Sequence, residues 1–209
     1  YIIAEPTAEC AVDMLRAVKS FDESIDYQNN HFFIAGYSEG GYAAYALHKT
    51  LQEKYSDEFT VTASAPMAGP YNVELTMEMI FNYDFPGRTI YLAYILYSYN
   101  EYYEWGRLEE IFKTPYHTTV PEMFDGTHSF SEVSSMLPDD YIDLFKLEFV
   151  TKVKEQLDVQ LLAAVRENSL VDWVPDAPVK FYHGSSDNDV PVENTEDVYN
   201  YLTELGKQD

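Results

Sequence analysis

Cysteine and positive charge are both scarce in this sequence. Its 209 residues contain one cysteine, Cys10, which excludes an internal disulfide framework and any zinc site built from several cysteines. Thirteen lysines and arginines stand against 36 aspartates and glutamates, so the formal charge is −23 at pH 7. Because such a surface repels phosphate groups, we expect no nucleic-acid partner and no electrostatic binding to anionic membranes.

Long apolar runs are absent as well. No stretch approaches the roughly 20 residues of a membrane helix, so the sequence predicts no integral membrane segment. Hydrophobic residues still make up 46% of the chain, which is enough to build the core of one domain, or of one domain with a large insertion. Cys10 falls in a helical apolar pattern, which favours a buried small side chain over a reactive thiol.

Strand-like and helix-like segments alternate along the chain. Short apolar or β-branched runs predict strands over 31–35, 59–65 and 179–183. Apolar side chains recur every three or four residues, and so predict helices, over 6–20, 40–55 and 192–205. This order is typical of an α/β protein with a mostly parallel sheet.

More than a hundred residues of different character separate the second and third predicted strands. Ten aromatic residues fall within 81–105, and a long helical period runs through 138–168. A structureless loop of this length is implausible in a compact domain. We therefore predict an inserted helical subdomain over 70–175, between core segments 1–69 and 176–209. Its aromatic residues either roof a binding site or form the core of the subdomain itself.

The segment 36–40 reads Gly-Tyr-Ser-Glu-Gly and fits the pattern G-x-S-x-G between a predicted strand and a predicted helix. So short a turn forces Ser38 into a strained backbone conformation that exposes its hydroxyl. We expect Gly36 and Gly40 to remove side chains that would collide with neighbouring backbone. The helix dipole and the Glu39 N–H would then face a developing oxyanion. Ser38 is a candidate nucleophile, the alternative being a tight turn with an idle serine.

Polar residues 183–191 follow the third predicted strand, where α/β sheets place their catalytic groups. An acid here could orient a histidine that takes the proton from Ser38, and both Asp187 and Asp189 qualify. The paired aspartates also suggest calcium. However, Pro191 stands where an EF-hand loop needs an oxygen ligand, and no glycine follows it there.

Two segments, 36–43 and 64–71, resemble the α/β-hydrolase superfamily, and within it bacterial secreted esterases and lipases with a large helical cap. Residues 1–17 and 171–191 are similar to the segments of that group that precede the nucleophile strand and lead to the catalytic acid. The resemblance implies an α/β-hydrolase fold, present in part, with a mostly parallel sheet and a helical cap over roughly 70–175.

The same resemblance assigns roles to particular residues. Ser38 would be the nucleophile, the Glu39 amide one oxyanion donor, and Asp187 rather than Asp189 the acid of the triad. It also implies a small-molecule ester or acyl substrate, no cofactor, no metal, and a secreted or periplasmic location.

The histidine of the triad does not follow the family pattern, which places it after the acid. None of the five histidines lies beyond Asp187: His31, His48, His117, His128 and His183. We expect His183 to be a satisfied core histidine, and His117 or His128 could serve as base only from within the cap. We therefore expect the catalytic histidine and a second oxyanion donor outside residues 1–209, which would be the middle and C-terminal portion of the enzyme.

These observations together predict a serine carboxylic-ester hydrolase that works through an acyl-enzyme on Ser38. A serine peptidase of the same fold is one alternative, since a triad does not distinguish esters from amides. A non-catalytic α/β-hydrolase-like binding protein that lacks the histidine is the other.

Overall fold

The computed structural model describes residues 1–82 and 88–207. The chain divides into two compact units. The sheet unit comprises Ile2–Thr76 and Asn168–Asp209, and the helical unit comprises Met77–Glu167 with Tyr1. Apart from Tyr1, the helical unit falls within the predicted insertion 70–175, and its role as a cap stays a prediction.

Eleven helices and two strands form within the described residues. In chain order they are α1 (Ala4–Phe21), β1 (Phe33–Tyr37), α2 (Glu39–Lys54), β2 (Ala63–Met67), α3 (Val73–Asn82), α4 (Thr89–Tyr102), α5 (Leu108–Ile111), α6 (Tyr116–Met123), α7 (Phe130–Met136), α8 (Tyr141–Leu144), α9 (Leu147–Lys154), α10 (Val159–Glu167) and α11 (Glu193–Glu204). No described helix combines the length and the apolar character needed to cross a membrane.

Helix α1 packs through one face onto the core of the sheet unit, to which it belongs. Its buried side chains Ala8, Val12 and Leu15 recur every three or four residues, and the last two join Ile34 of β1 in one core cluster. Cys10 is two positions from both Ala8 and Val12, which places it on the other side of the helix. Its side chain is exposed, so the expectation of a buried cysteine is wrong.

Strands β1 and β2 pair in parallel over their full length. Strand β1 overlaps the predicted segment 31–35, whereas β2 begins at Ala63 and not at Phe59. The Phe59 N–H instead donates to the carbonyl of Tyr55, the residue that follows α2, and Phe59 enters the core with 3% of its surface exposed. The apolar character of Phe59 therefore reflects a core contact before the strand.

The predicted strand 179–183 lies on the other edge of β2 but forms only two single parallel bridges. The Ser64 N–H donates to the carbonyl of Pro178, just before this segment, at 3.0 Å, and the Ala68 N–H donates to the Tyr182 carbonyl at 2.8 Å. An unbroken ladder would need a donor from Pro66 to the Lys180 carbonyl, and proline has no N–H. The proline therefore interrupts the ladder while the extended segment keeps its place beside β2.

The predicted long helical period over 138–168 is broken into three helices. The first break is at Phe145, which is extended and forms an antiparallel bridge with Phe112. The ring of Phe145 is fully buried and also packs against Phe149. Tertiary packing thus overrides the local helical pattern at this point.

The second break is held by an ion pair. Gln156 adopts φ 55°, a left-handed conformation that ends α9. Asp158 then accepts the Leu161 N–H at the start of α10 and binds Arg107 at 2.6 Å. Burial would raise the pKa of the Asp158 carboxyl, but the hydrogen bonds from Arg107 and the backbone lower it.

Several aromatic residues of 81–105 form part of the core of the helical unit. Phe81 and Tyr99 are buried, and Tyr99 packs edge-on against neighbouring aromatic rings. These residues act as core side chains, which was one of the two alternatives. Two further members of the aromatic set, Tyr83 and Phe85, lie outside the described residues.

Candidate active site

Ser38 joins β1 to α2 with a strained backbone. Its φ and ψ are 57° and −122°, a region that residues other than glycine rarely adopt. The Ser38 N–H donates to the Met67 carbonyl at 2.9 Å, and its own carbonyl accepts from Gly41 and Tyr42 at 2.9 and 3.1 Å. These bonds fix the turn to the end of β2 and to the first turn of α2. The hydroxyl does not cap the helix.

Close backbone approach explains two of the nearby glycines. A Cβ on Gly36 would lie 1.9 Å from the Gly40 carbonyl oxygen, as expected of a residue that must be glycine. Apart from its chain neighbours and the backbone of its own helix, a Cβ on Gly40 would meet no atom of the described residues within 4 Å, so the expectation for Gly40 is wrong. Gly41 has that role instead, because its Cβ would lie 2.3 Å from the Met67 carbonyl oxygen.

Glu39 is the first residue of α2. The first-turn N–H groups of a helix have no partner within it and carry the positive end of its dipole. The Glu39 N–H donates to no acceptor in the part of the chain that the structure describes. The residue is exposed, but nearby protein atoms partly desolvate its carboxyl, and this raises the pKa of Glu39. The Glu39 N–H is therefore available to an acceptor, and its role as an oxyanion donor stays a prediction.

Asp187 lies in the loop that follows residue 182, and its two carboxylate oxygens differ. Oδ1 accepts the N–H groups of Asp189 and Val190 at 2.9 and 3.0 Å. Oδ2 lies 3.7 Å from Nε2 of His183, which is too long for a hydrogen bond. One oxygen thus fixes the loop, and the other can accept a further N–H.

Asp189 has a different environment. Its residue is exposed, whereas the Asp187 side chain has 16% of its surface exposed. Asp189 also contributes its backbone N–H to holding Asp187. The assignment of Asp187 rather than Asp189 as the acid remains a prediction.

His183 is buried, with 2% of its side chain exposed. Its Nε2 lies 2.8 Å from the Val190 carbonyl oxygen, and its Nδ1 lies 2.7 Å from Oγ1 of Thr195. Because a carbonyl can only accept, Nε2 carries the proton and Nδ1 accepts from the hydroxyl. Both nitrogens are therefore engaged, which agrees with a structural histidine and not with a general base.

The remaining histidines are not bonded to Ser38 in the described residues. His48 is buried in α2, with its Nδ1 2.9 Å from Oγ of Ser64. Its burial lowers the pKa of His48 to about 4, although the charge of Asp176 opposes this. His31 is exposed, and the last two histidines, His117 and His128, belong to the helical unit.

A groove of about 740 Å³ opens in the sheet unit beside the ends of β1 and β2. It is lined by Tyr37, Met67, Ala68, Tyr182, His183, Gly184, Ser185, Ser186 and Asp187. The structure therefore places Asp187 on the same groove as Tyr37, the residue that directly precedes Ser38. The two predicted site segments meet at one edge of the sheet.

Sequence reasoning missed the part that β2 plays in this site. The Met67 carbonyl holds Ser38, and the next residue, Ala68, adopts φ 47°. The Ala68 N–H is bonded to the Tyr182 carbonyl at 2.8 Å, which fixes this strained position between the two site segments. The only local signal was the Gly-Pro pair at 69–70, which marks a turn.

The secretory lipase family model matches residues 1–209. No curated protein matches the chain.

Several solved structures are similar to this chain. An inferred hydrolase from Legionella pneumophila is 31% identical, with a TM-score of 0.88 over 98% of the chain. The rice cell wall degrading esterase LipA from Xanthomonas oryzae is 23% identical (TM-score 0.88), and Candida antarctica lipase A is 15% identical (TM-score 0.78), each over 99% of the chain. This chain covers 55%, 56% and 48% of those three, or about half of their length. These likenesses confirm the predicted fold class, an α/β-hydrolase fold present in part.

Proposed function

This chain belongs to the secretory lipase family, and we propose that it carries the nucleophile and the acid of a serine carboxylic-ester hydrolase. The observation that carries the proposal is the backbone of Ser38, whose φ of 57° and ψ of −122° occur between a parallel strand and a helix. A non-glycine residue keeps such a conformation only where the surroundings hold it, and such strain is concentrated at functional sites.

In the proposed reaction Oγ of Ser38 attacks the ester carbonyl carbon while a histidine takes its proton. The Glu39 N–H donates to the oxyanion that forms. The same histidine protonates the leaving alcohol, which leaves an acyl group on Oγ. Water, activated by the histidine, then releases the acid and restores Ser38. Oδ2 of Asp187 accepts an N–H from the histidine and keeps its ring oriented throughout.

We propose that this histidine is supplied from outside residues 1–209. Within the sheet unit, His183 uses both ring nitrogens for other bonds, and His48 is buried against Ser64. The free oxygen of Asp187 supports the same view, since it leaves one acceptor for an incoming imidazole.

Small esters and other acyl compounds are the proposed substrates. The rings of Tyr37 and Tyr182 line the groove and are 67% and 48% exposed, so they offer apolar area with a polar tip beside the reacting carbonyl. The description of the family supports secretion, and we extend that to this protein.

The test is to treat the full-length protein with a serine-directed phosphonate and to measure hydrolysis of a short-chain ester. Ser38→Ala should abolish labelling and lower turnover by about three orders of magnitude or more, as removal of a triad member does. The control is Ser24→Ala, because Ser24 is an exposed loop serine bonded to Asp22. It should leave labelling and turnover unchanged.

The same experiment separates the alternatives. A Ser38→Ala variant that keeps its turnover contradicts the proposal, as does labelling at another serine. If Ser38 is labelled but a peptide panel is cleaved faster than the ester panel, the protein is a peptidase. If the protein neither reacts nor hydrolyses, it is a binding protein of this fold.

A further inference from the structure

The loop that carries Asp187 is tied to a histidine that the proposed reaction does not use. Val190 is bonded through both of its backbone groups. Its N–H donates to Oδ1 of Asp187 at 3.0 Å, and its carbonyl accepts from Nε2 of His183 at 2.8 Å. A displacement of Val190 would therefore move the carboxylate as well.

His183 is itself fixed on its other side. Nδ1 accepts from the hydroxyl of Thr195 at 2.7 Å, and Thr195 lies in the first turn of α11. This bond leaves Nε2 as the protonated nitrogen, since Nδ1 is occupied as an acceptor. With 2% of the side chain exposed, little water can replace either bond. A continuous series of hydrogen bonds thus runs from α11 through His183 and Val190 to Asp187.

Only one of the two carboxylate oxygens of Asp187, Oδ1, takes part in this series of hydrogen bonds. Oδ1 takes two backbone N–H groups, so the direction of Oδ2 is set by the position of the loop backbone. Catalytic groups need to be placed to within a fraction of an ångström, and a misplacement of about 1 Å can cost about 100-fold in rate. A residue that fixes Val190 therefore has a direct effect on the orientation of the acid.

We propose that His183 is a positioning residue for Asp187 and acts through Val190. Its Nε2–H holds the Val190 carbonyl, and Val190 in turn holds the carboxylate so that Oδ2 faces the catalytic histidine. The inference rests on the proposed function, because it requires Asp187 to be the acid that serves Ser38.

Two amide variants of the full-length protein test the proposal. In His183→Gln the amide nitrogen can reach the position of Nε2 and keep the bond to Val190. In His183→Asn the shorter side chain reaches only the position of Nδ1, so the bond to Thr195 can remain but the bond to Val190 is lost. Both replacements bury one primary amide, which keeps their effects on packing and solvation similar.

We expect His183→Gln to keep kcat within about 3-fold of the wild type, and His183→Asn to lower kcat by about 10- to 100-fold with KM unchanged. Turnover is expressed per phosphonate-labelled serine, so that unfolded molecules are not counted. If either variant fails to fold, Thr195→Val replaces it. Thr195→Val removes the hydrogen bond to Nδ1 of His183, so the ring is no longer fixed on that side although Nε2 is still present. This variant should also lower kcat with KM unchanged.

The matched control is His48→Asn, since His48 is also buried and also bonded to a hydroxyl, that of Ser64. It should lower stability and leave kcat per labelled serine unchanged. Equal kcat values for the Gln and Asn variants of His183, or an effect on KM alone, would overturn the inference. Ser38→Ala is measured in parallel. If Ser38→Ala keeps its turnover, the proposed function fails. If Ser38→Ala is inactive but the His183 variants keep the wild-type kcat, only the positioning role is refuted.

Discussion

Three glycines lie near Ser38 in the sequence, and they do not share one environment. The Ser38 turn requires the backbones of β1, α2 and β2 to approach more closely than a Cβ allows. At Gly36 and Gly41 a methyl group would overlap a backbone carbonyl, whereas at Gly40 it would enter open space. Because a carbonyl oxygen in the framework cannot rotate away as a side chain can, the cost of a methyl group should differ sharply between these positions.

Gly41→Ala and Gly40→Ala form a matched pair in the first turn of α2. We expect Gly41→Ala to lower the free energy of unfolding by about 3 kcal/mol, because its Cβ would lie 2.3 Å from the Met67 carbonyl oxygen. Gly40→Ala should be neutral or stabilising by up to about 1 kcal/mol, since alanine is the better helix former. Urea unfolding of both variants gives the comparison. Equal losses would show that the strand and helix can separate to admit a side chain.

Asp187→Asn should cost far more activity than Asp189→Asn. In Asp187→Asn the side-chain carbonyl oxygen can still accept the N–H groups of Asp189 and Val190, so the loop is expected to stay folded. The new NH₂ group, however, would favour the wrong tautomer of the catalytic histidine, which costs about 10⁴-fold in kcat in a serine triad. The measurement is kcat on a short-chain ester, with circular dichroism to check folding. The reverse ranking would move the acid to Asp189.

Between elements, the pair of His48 and Ser64 joins α2 to β2. Burial lowers the pKa of His48 to about 4, so the folded protein binds fewer protons than the unfolded chain between about pH 4 and 6.5. This contribution to stability is complete above pH 6.5 and is lost as the pH falls toward 4. The linkage predicts a loss of about 2 kcal/mol between pH 7 and pH 5.

The variant His48→Asn isolates that contribution. It removes the titrating group while the other acidic and basic groups still titrate as in the wild type. When the pH is lowered from 7 to 5, the free energy of unfolding of the wild type should fall by about 2 kcal/mol more than that of His48→Asn. His128→Asn serves as the control because His128 is exposed. A wild-type curve parallel to that of His48→Asn would show that His48 does not remain neutral in the folded protein.

Local sequence patterns predicted the structure well where neighbouring residues determine it. They predicted it poorly where contacts with residues far along the chain determine it. The strand–Ser38–helix junction followed from the pattern of 36–40, since the required backbone is set within a few residues. The interruption opposite Pro66 and the break at Phe145 depend on partners far along the chain. Gly41 was missed for the same reason, because its close contact is with Met67 of another strand.

For the molecule as a whole, the outer edge of β1 is the place in the sheet unit where we expect self-association. Within the described residues β1 pairs with β2 alone. Phe33 and Tyr37 lie on β1 and are 64% and 67% exposed. An unpaired strand with exposed aromatic side chains recruits other chains through its free N–H and C=O groups. The net charge of −23 opposes that association at low ionic strength.

The chain of 209 residues on its own should therefore self-associate, and more so at high salt. Raising the salt from 10 mM to 1 M shortens the screening length from about 30 Å to about 3 Å and removes the long-range repulsion. Phe33→Lys should suppress the association, because a charge on a strand edge blocks pairing. Phe21→Lys is the control, since Phe21 is 95% exposed at the end of α1 and away from the strand edge. Light scattering at both salt concentrations distinguishes the cases. A monodisperse chain at 1 M salt would contradict the prediction. Equal effects of the two lysines would mean that general hydrophobic exposure, and not the β1 edge, drives the association.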